Sequence, residues 1–210
     1  MKDEFAAAGY GGENIGFGER PALLVVDFQK AFTDPRYATG RSDHIHAAVD
    51  RTEALLKVAR RCGVPVAKCY TAYESVREMP YWKVKSLYTD FFFGHPATEV
   101  EPRLHDPDYD YTFAKIGPSI FFKTPVTTFL ARHRVDTVLL AGCTTSGCIR
   151  ASVIDSFSSG YRTMLLEDCC GDQAEGPHND NIRDVGRRYC DIVKSADVLP
   201  WFEDVRKRNS

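Results

Sequence analysis

The chain has 210 residues, a hydrophobic fraction of 43% and a formal net charge of −2. That length suits one domain with a full core, and that balance excludes both a disordered chain and a basic nucleic-acid binder. Its apolar stretches are strand-length, far short of a membrane span, so neither a membrane nor a nucleic acid is an expected partner.

In chain order, Met1-Lys-Asp-Glu-Phe has an early acidic pair and no apolar core, unlike a secretory signal. Gly9-Tyr-Gly-Gly12 makes residues 1–15 an expected flexible arm, or one that packs on a neighbouring subunit; 16–204 read as the single domain and 205–210 as a tail. Ala22-Leu-Leu-Val-Val-Asp27 is a continuous apolar run closed by an acid, which reads as a central parallel strand with a carboxylate at its C-terminal edge. Asp43 to Arg61 carries apolar residues at helical spacing, with Ser42 or Asp43 as cap and Gly63 as stop. Val64 to Tyr70 reads as a second strand. Residues 74–108 are the least regular part and hold Tyr81, Trp82 and the Phe91–Phe93 cluster, which suit pocket walls or an oligomer interface.

Asp110 to Lys115 reads as a strand ending in a charge, broken by Gly117-Pro118. A helix is expected over Pro125–Arg134, a buried strand over Asp136–Gly142, a helix over Ile149–Ser159 and a strand over Arg162–Glu167. After a loop at Cys169–Pro177, a helix at His178–Tyr189 leads to a short strand at Asp191–Lys194. This alternation predicts an α/β fold of three layers, a Rossmann-like, mostly parallel sheet with helices on both faces.

The chemistry concentrates at strand ends, where open α/β sheets bind ligands. Cys143-Thr-Thr-Ser-Gly-Cys148 sets a thiol where a strand hands over to a helix N-terminus. Free N–H groups and the helix dipole there favour a thiolate, and the same N–H groups can hold an oxyanion. Read locally, Cys148 is equally a small apolar residue filling a tight turn. Asp27 alone is also a loop cap, and Lys115 alone a solvated end charge. Cys143, Cys169, Cys170 and His178 show no C-x-x-C spacing, so no metal is expected; Cys169 and Cys170 read as cleft-edge residues, and Cys62, Cys69 and Cys190 as structural. Seven cysteines without a framework spacing fit a reducing compartment, and a cytoplasmic protein is expected.

Several segments together resemble the isochorismatase-like cysteine hydrolases, within them the N-carbamoylsarcosine amidohydrolase and maleamate amidohydrolase branch. They are Arg20 to Phe28 with Phe32-Thr-Asp-Pro35, Lys115 to Phe122, Ala141 to Arg150, and Glu167-Asp-Cys-Cys-Gly-Asp172, spread over a resemblance from about Gly16 to Val198. The resemblance implies a triad of Asp27, Lys115 and Cys148. It also implies a non-proline cis peptide between Cys143 and Thr144 that aims the Thr144 and Cys148 N–H groups at a substrate oxygen. Implied with it are hydrolysis of a small amide or ureido acid through a thioester, release of ammonia, no cofactor and a homo-oligomer, a tetramer by family habit.

Isochorismatases proper lack a cysteine at the position of Cys148, so its presence points to C–N cleavage. Nicotinamidases hold a metal through an Asp and paired histidines near the second strand, where this chain reads Cys69-Tyr-Thr-Ala-Tyr-Glu-Ser75. Gln173 stands where N-carbamoylsarcosine enzymes are expected to carry a carboxylate-binding arginine. Candidate substrate contacts are Trp82, Thr145 and Gln173, with Arg36, Lys83 and Arg150 as further carboxylate partners. The N-carbamoylsarcosine type leads; alternatives are a maleamate-type or nicotinamidase-like amidase and, from another class, a non-catalytic binding protein on the same fold.

Overall fold

A computed structural model describes residues 3–209. Six strands form one sheet: β1 (Pro21–Val26), β2 (Val66–Thr71), β3 (Tyr111–Lys115), β4 (Thr137–Cys143), β5 (Arg162–Gly171) and β6 (Asp191–Val193). Their order is β3-β2-β1-β4-β5-β6 and every pairing is parallel. The connections carry α2 (Lys30–Thr33), α3 (Asp43–Arg61), α4 (Leu87–Asp90), α5 (Val126–Arg132), α6 (Arg150–Ser158) and α7 (Glu175–Gly186); α1 (Glu4–Ala7) precedes the sheet and α8 (Ser195–Asn209) follows it. No helix among the described residues is long and apolar enough to cross a membrane.

Alternate residues of each strand face opposite sides, and both sides are covered. Leu23, Val25, Leu139, Ala141, Met164 and Leu166 pack with Ile45, Val49, Leu56 and Phe202 of α3 and α8. Ala22, Leu24, Val26, Val138, Leu140 and Leu165 pack with Val126, Leu130, Val153 and Val185 of α5, α6 and α7. Every residue of β1 and β4 is buried, which is why both read as unbroken apolar runs. Helix α3 falls where its periodicity puts it, and Ser42 caps it by accepting the Ile45 N–H.

Three segments after β4 depart from the sequence reading. Strand β5 runs on through Asp168, Cys169 and Cys170 to Gly171, because its ladder resumes after an irregularity, with Gly142 opposite Cys170 and Cys143 opposite Gly171. Cys169 and Cys170 therefore point into the two cores instead of lining a cleft. Helix α7 starts at Glu175, ahead of the expected His178; Pro177 sits in its first turn, where the missing N–H has no helical partner to lose. Residues 205–209 continue α8 instead of forming a tail. Pro200 hides that helix from the sequence, but burial of Val198, Phe202 and Val205 holds it against the core, and Asp168 accepts the Ser195 N–H and hydroxyl at its start.

Residues 3–15 lie on their own chain. Asp3 pairs with Arg187, Phe5 lies under Arg187 and Arg188, and Asp191 accepts the Ile15 and Gly16 N–H groups. Met1 and Lys2 of the expected arm and Ser210 of the expected tail lie outside the described residues.

At the end of β4 the backbone passes so close to β1 that a Cβ on Gly142, whose φ is 135°, would sit 2.1 Å from the Val26 carbonyl oxygen. Gly142→Ala should therefore cost about 3 kcal/mol or more, from overpacking and a disfavoured φ together. Chemical denaturation measures this directly, and a variant as stable as the parent would contradict the close approach.

Candidate active site

The strand order reverses between β1 and β4, and the crevice of a doubly wound sheet opens at that reversal, beyond the strand C-termini. Asp27 leaves β1 there in a left-handed conformation, φ 56°, with its side chain only 1% exposed. Lys115 closes β3 and is equally buried; its Nζ lies 2.8 Å from Asp27 Oδ2. Thr71, the last residue of β2, stands between them. Its hydroxyl accepts from Lys115 at 2.8 Å and donates to Asp27 Oδ1 at 3.1 Å. Lys115 also donates to the Gly117 carbonyl at 3.0 Å and reaches the Cys148 sulfur at 3.4 Å. Asp27 Oδ2 has the ammonium beside it but no well-aligned hydrogen bond, so it is open to accept one.

The thiol arrives from β4 through a turn of small residues. The Cys143–Thr144 peptide is cis, Thr145–Ile149 form one π-helical turn, and α6 continues from Arg150. The Gly147 and Ile149 N–H groups donate to the Thr144 carbonyl at 3.0 and 3.1 Å. Ser146 donates its N–H to Asp172 Oδ2 at 2.6 Å. A side chain at Gly147 would meet the Thr144 hydroxyl at 2.8 Å. The need for a tight turn thus accounts for the run Thr-Thr-Ser-Gly.

The electrostatics correct the sequence reading of the thiol. Burial pushes the Cys148 thiol up to about 12; Lys115 opposes that shift, and Asp27 adds to it by charge and as a hydrogen-bond acceptor. At neutral pH the resting site therefore holds a protonated thiol above a carboxylate–ammonium pair. Burial works against the Lys115 charge, yet Asp27 and Cys148 together leave its pKa raised. Chemically, such a set can pass the thiol proton to the carboxylate as the sulfur attacks, while the ammonium stabilises the charge that forms.

Asp27, Thr71 and Cys148 line a cavity of about 440 Å³, and Lys115 contacts all three from outside its lining. Phe32, Trp82, Leu87 and Phe91 give it aromatic and aliphatic walls, and Thr144, Ser146, Asp172 and Gln173 also border it, on and beside the turn that carries Cys148. Trp82 is fixed by its indole N–H, which donates to Tyr73 Oη at 2.7 Å, while that hydroxyl donates to the Ile116 carbonyl. Gln173 is tied back to the Thr39 carbonyl.

Thr145 is not at the cavity: its hydroxyl is buried between the Gly171 carbonyl and His178 Nδ1. Arg36 pairs with Asp34 and Arg150 with Asp184, and neither they nor Lys83 line the walls. A larger hollow, about 810 Å³, beside residues 8–15 and 186–191 contains none of the three reactive groups. Among the described residues no cluster of three or more His, Cys, Asp or Glu is placed to hold a metal. The sequence reading gave Thr71 no role and named Asp172 only as the end of the Glu167–Asp172 motif; Thr71 ends β2 and Asp172 follows β5, and both strands converge on the site.

A wholly parallel sheet whose neighbouring strand ends gather a thiol, a carboxylate and an ammonium under one cavity defines an α/β enzyme with a cysteine at its centre. The family model described as the isochorismatase domain matches residues 21–197, and the chain belongs to the isochorismatase family. It is 36% identical over 203 residues to a maleamate amidohydrolase of Pseudomonas putida, covering 91% of each chain. It is 27% identical to an N-carbamoylsarcosine amidase of an Arthrobacter species, covering 90% of this chain and 76% of that one. Among solved structures, a cysteine hydrolase from Pseudomonas syringae superposes with a TM-score of 0.81 at 22% identity, over 89% of this chain and 93% of that one, a likeness of fold.

Two pH dependences follow from these thiols. Iodoacetamide should modify Cys148 at a rate still climbing above pH ~9, past the usual thiol range of about 8.5. Lys115→Met removes the opposing charge and should slow the reaction further at any given pH. A plateau near pH ~8 would contradict the raised pKa of the Cys148 thiol. Stability should respond as well: Cys148 and Cys169 are each raised to about 12, and Cys69, Cys143 and Cys170 are raised too, all chiefly by burial. The unfolded chain gives up these protons first, at about pH 8.5, so unfolding becomes easier as pH rises from there toward the folded values. Thermal midpoints should fall steadily over that window, and a flat profile would count against the shifts.

Proposed function

We propose that the protein is an amidohydrolase in which Cys148 is the nucleophile, Asp27 the proton carrier and Lys115 the charge that stabilises both. One observation carries this reading: the Cys148 sulfur, in the lining of the cavity, lies 3.4 Å from an ammonium that is itself 2.8 Å from the buried Asp27 carboxylate. The thiol proton moves to Asp27 as the sulfur adds to the amide carbonyl. The oxyanion rests on the Thr144 and Cys148 N–H groups, the donors the resemblance implies, while those of Ser146, Gly147 and Ile149 have acceptors within the protein. Asp27 returns the proton to the leaving nitrogen, the C–N bond breaks and ammonia departs from a thioester. Water then attacks that carbonyl and gives a proton to Asp27, and the acid and the regenerated thiol are released. No histidine takes part in this sequence.

For the substrate, a small linear amide bearing an acid, of the maleamate type, is the first reading. The relative of that name is the more similar of the two, and its planar, unsaturated substrate suits a narrow cavity walled by Phe32, Trp82 and Phe91. An N-carbamoyl amino acid is the second, favoured by the other relative but opposed by Gln173 at the position expected to carry an arginine.

Ammonia release from maleamate, N-carbamoylsarcosine and nicotinamide tests both levels. Cys148→Ala and Cys148→Ser should fold normally and lower turnover by roughly 10³-fold or more. Hydroxylamine present during turnover should divert product to the hydroxamate, as a thioester requires. Near-normal activity in Cys148→Ala would remove the nucleophile, and silence on every amide with an unreactive Cys148 would favour a binding role.

A further inference from the structure

Behind the nucleophile turn lies a set of polar contacts that the chemistry above does not use, and they meet at Asp172. This residue follows β5 and is 3% exposed. Its carboxylate accepts the Ser146 N–H at 2.6 Å through Oδ2 and its neighbour's, that of Gln173, at 2.8 Å through Oδ1. Its backbone is held as well. The Asp172 N–H donates to His44 Nδ1 at 3.2 Å, and its carbonyl accepts the Ser42 hydroxyl at 2.7 Å. Three segments are therefore joined at one residue: its backbone ties the start of α3 to the loop after β5, and its side chain ties that loop to the turn that carries Cys148.

Ser146 sits midway between the cis peptide and Cys148, two residues from each of the N–H groups assigned to the substrate oxygen. A charge-assisted bond of 2.6 Å from a buried carboxylate is among the stronger tethers available to a backbone N–H. It does two things at once. It fixes the turn through a contact separate from those of Lys115 and Asp27, and it occupies a donor that would otherwise compete for a substrate carbonyl. The same carboxylate places negative charge at the start of a helix whose dipole would favour a thiolate. As a charge, then, Asp172 makes the thiol harder to ionise; as a tether, it holds the sulfur where Asp27 and Lys115 can act on it.

We infer that Asp172 is a positioning residue for the nucleophile: by clamping the Ser146 N–H it sets the turn that presents Cys148 and the two oxyanion N–H groups. This rests on the reading of Cys148 as nucleophile. The two effects of the residue have opposite signs, so one set of variants separates them. Asp172→Asn keeps the shape and an oxygen for the Ser146 N–H but drops the charge. Asp172→Glu keeps the charge but, one methylene longer, cannot hold the turn in place, and Asp172→Ala removes the tether entirely.

The experiment measures iodoacetamide modification of Cys148 at neutral pH, located by mass of the modified peptide, beside steady-state ammonia release from maleamate. Both are normalised to the folded fraction from circular dichroism, with Cys148→Ala as control. Asp172→Ala and Asp172→Glu should lower kcat on the order of 100-fold with KM little changed, as misplacement of a reacting atom does, and should slow alkylation roughly tenfold. Asp172→Asn should restore most of both rates. Should the alanine variant fail to fold, the contrast between the Asn and Glu variants still decides.

Alkylation that is unchanged or faster in Asp172→Ala and Asp172→Glu would overturn the inference, leaving Asp172 as a charge or a structural link. So would a rise in KM with kcat preserved, which would make it a substrate contact. If the variants behave like the parent while Cys148→Ala is dead, only this inference fails. If Cys148→Ala still releases ammonia, the underlying reading fails first.

Discussion

The site depends on one buried ion pair. Asp27 and Lys115 meet at 2.8 Å with side chains 1% and 0% exposed. Removing two such charges from water costs several kcal/mol for each ion, and attraction repays this only with good geometry and added hydrogen bonds. Thr71 and the Gly117 carbonyl supply those bonds, so the pair is part of a four-way junction across three adjacent strand ends. Small displacements of any of those ends would leave a charge without a partner in a dry interior. The register of β3 on β2 and of β2 on β1 is thereby tied to the chemistry, not only to the packing.

Topology explains why a fourth group can join. Parallel strands send all their C-termini the same way, and the reversal of order between β1 and β4 leaves a crevice where no crossover helix lies over the ends. Asp27 and the turn after Cys143 flank that crevice. They approach closely because Gly142 lets the two backbones come within a distance that a side chain would forbid. The Cys143 thiol adds a link across the same seam by donating to the Asp27 carbonyl at 3.2 Å. One strand pair therefore carries both partners of the proposed proton transfer.

The legible parts of the sequence were those set by local pattern. Fully buried strands produce unbroken apolar runs, which put β1 and β4 in view, and a polar residue ending such a run stands out, which exposed Asp27 and the turn before Cys148, whereas Lys115, at the end of a half-buried strand, gained a role only through the resemblance. Helix α3 was equally plain, with a serine cap and one apolar stripe. What stayed hidden was set by partners distant in the chain. The continuation of β5 through Cys169 and Cys170 exists because β4 offers a ladder there. Helix α8 exists because α3 buries its apolar face in spite of Pro200. Thr71 and Asp172 look like any strand-end Thr and loop Asp until the sheet brings Lys115 and Ser146 against them. Trp82 and Gln173 border the cavity, whereas Thr145, in the π-helical turn, bonds His178 and the Gly171 carbonyl instead.

The thiol's protonation state is where local pattern and three-dimensional environment gave opposite answers, and the environment decides. A helix N-terminus lowers a thiol pKa where the sulfur stays partly hydrated; here burial dominates, Asp27 adds to it, and the carboxylate of Asp172 takes one of the N–H groups that would have made the terminus attractive to an anion. A standing thiolate in this pocket would face two carboxylates with one ammonium between three negative charges. A protonated thiol beside an open carboxylate oxygen avoids that arrangement, and it allows charge to build on sulfur only while the proton is moving to Asp27. On the proposed mechanism the total charge of the buried cluster then stays constant through the attack, and Lys115 need only follow a negative charge that shifts from carboxylate to sulfur to substrate oxygen within a few ångströms. A fixed ammonium held by three acceptors needs little reorganisation to do this, and that is the form of electrostatic assistance a water-poor site can supply.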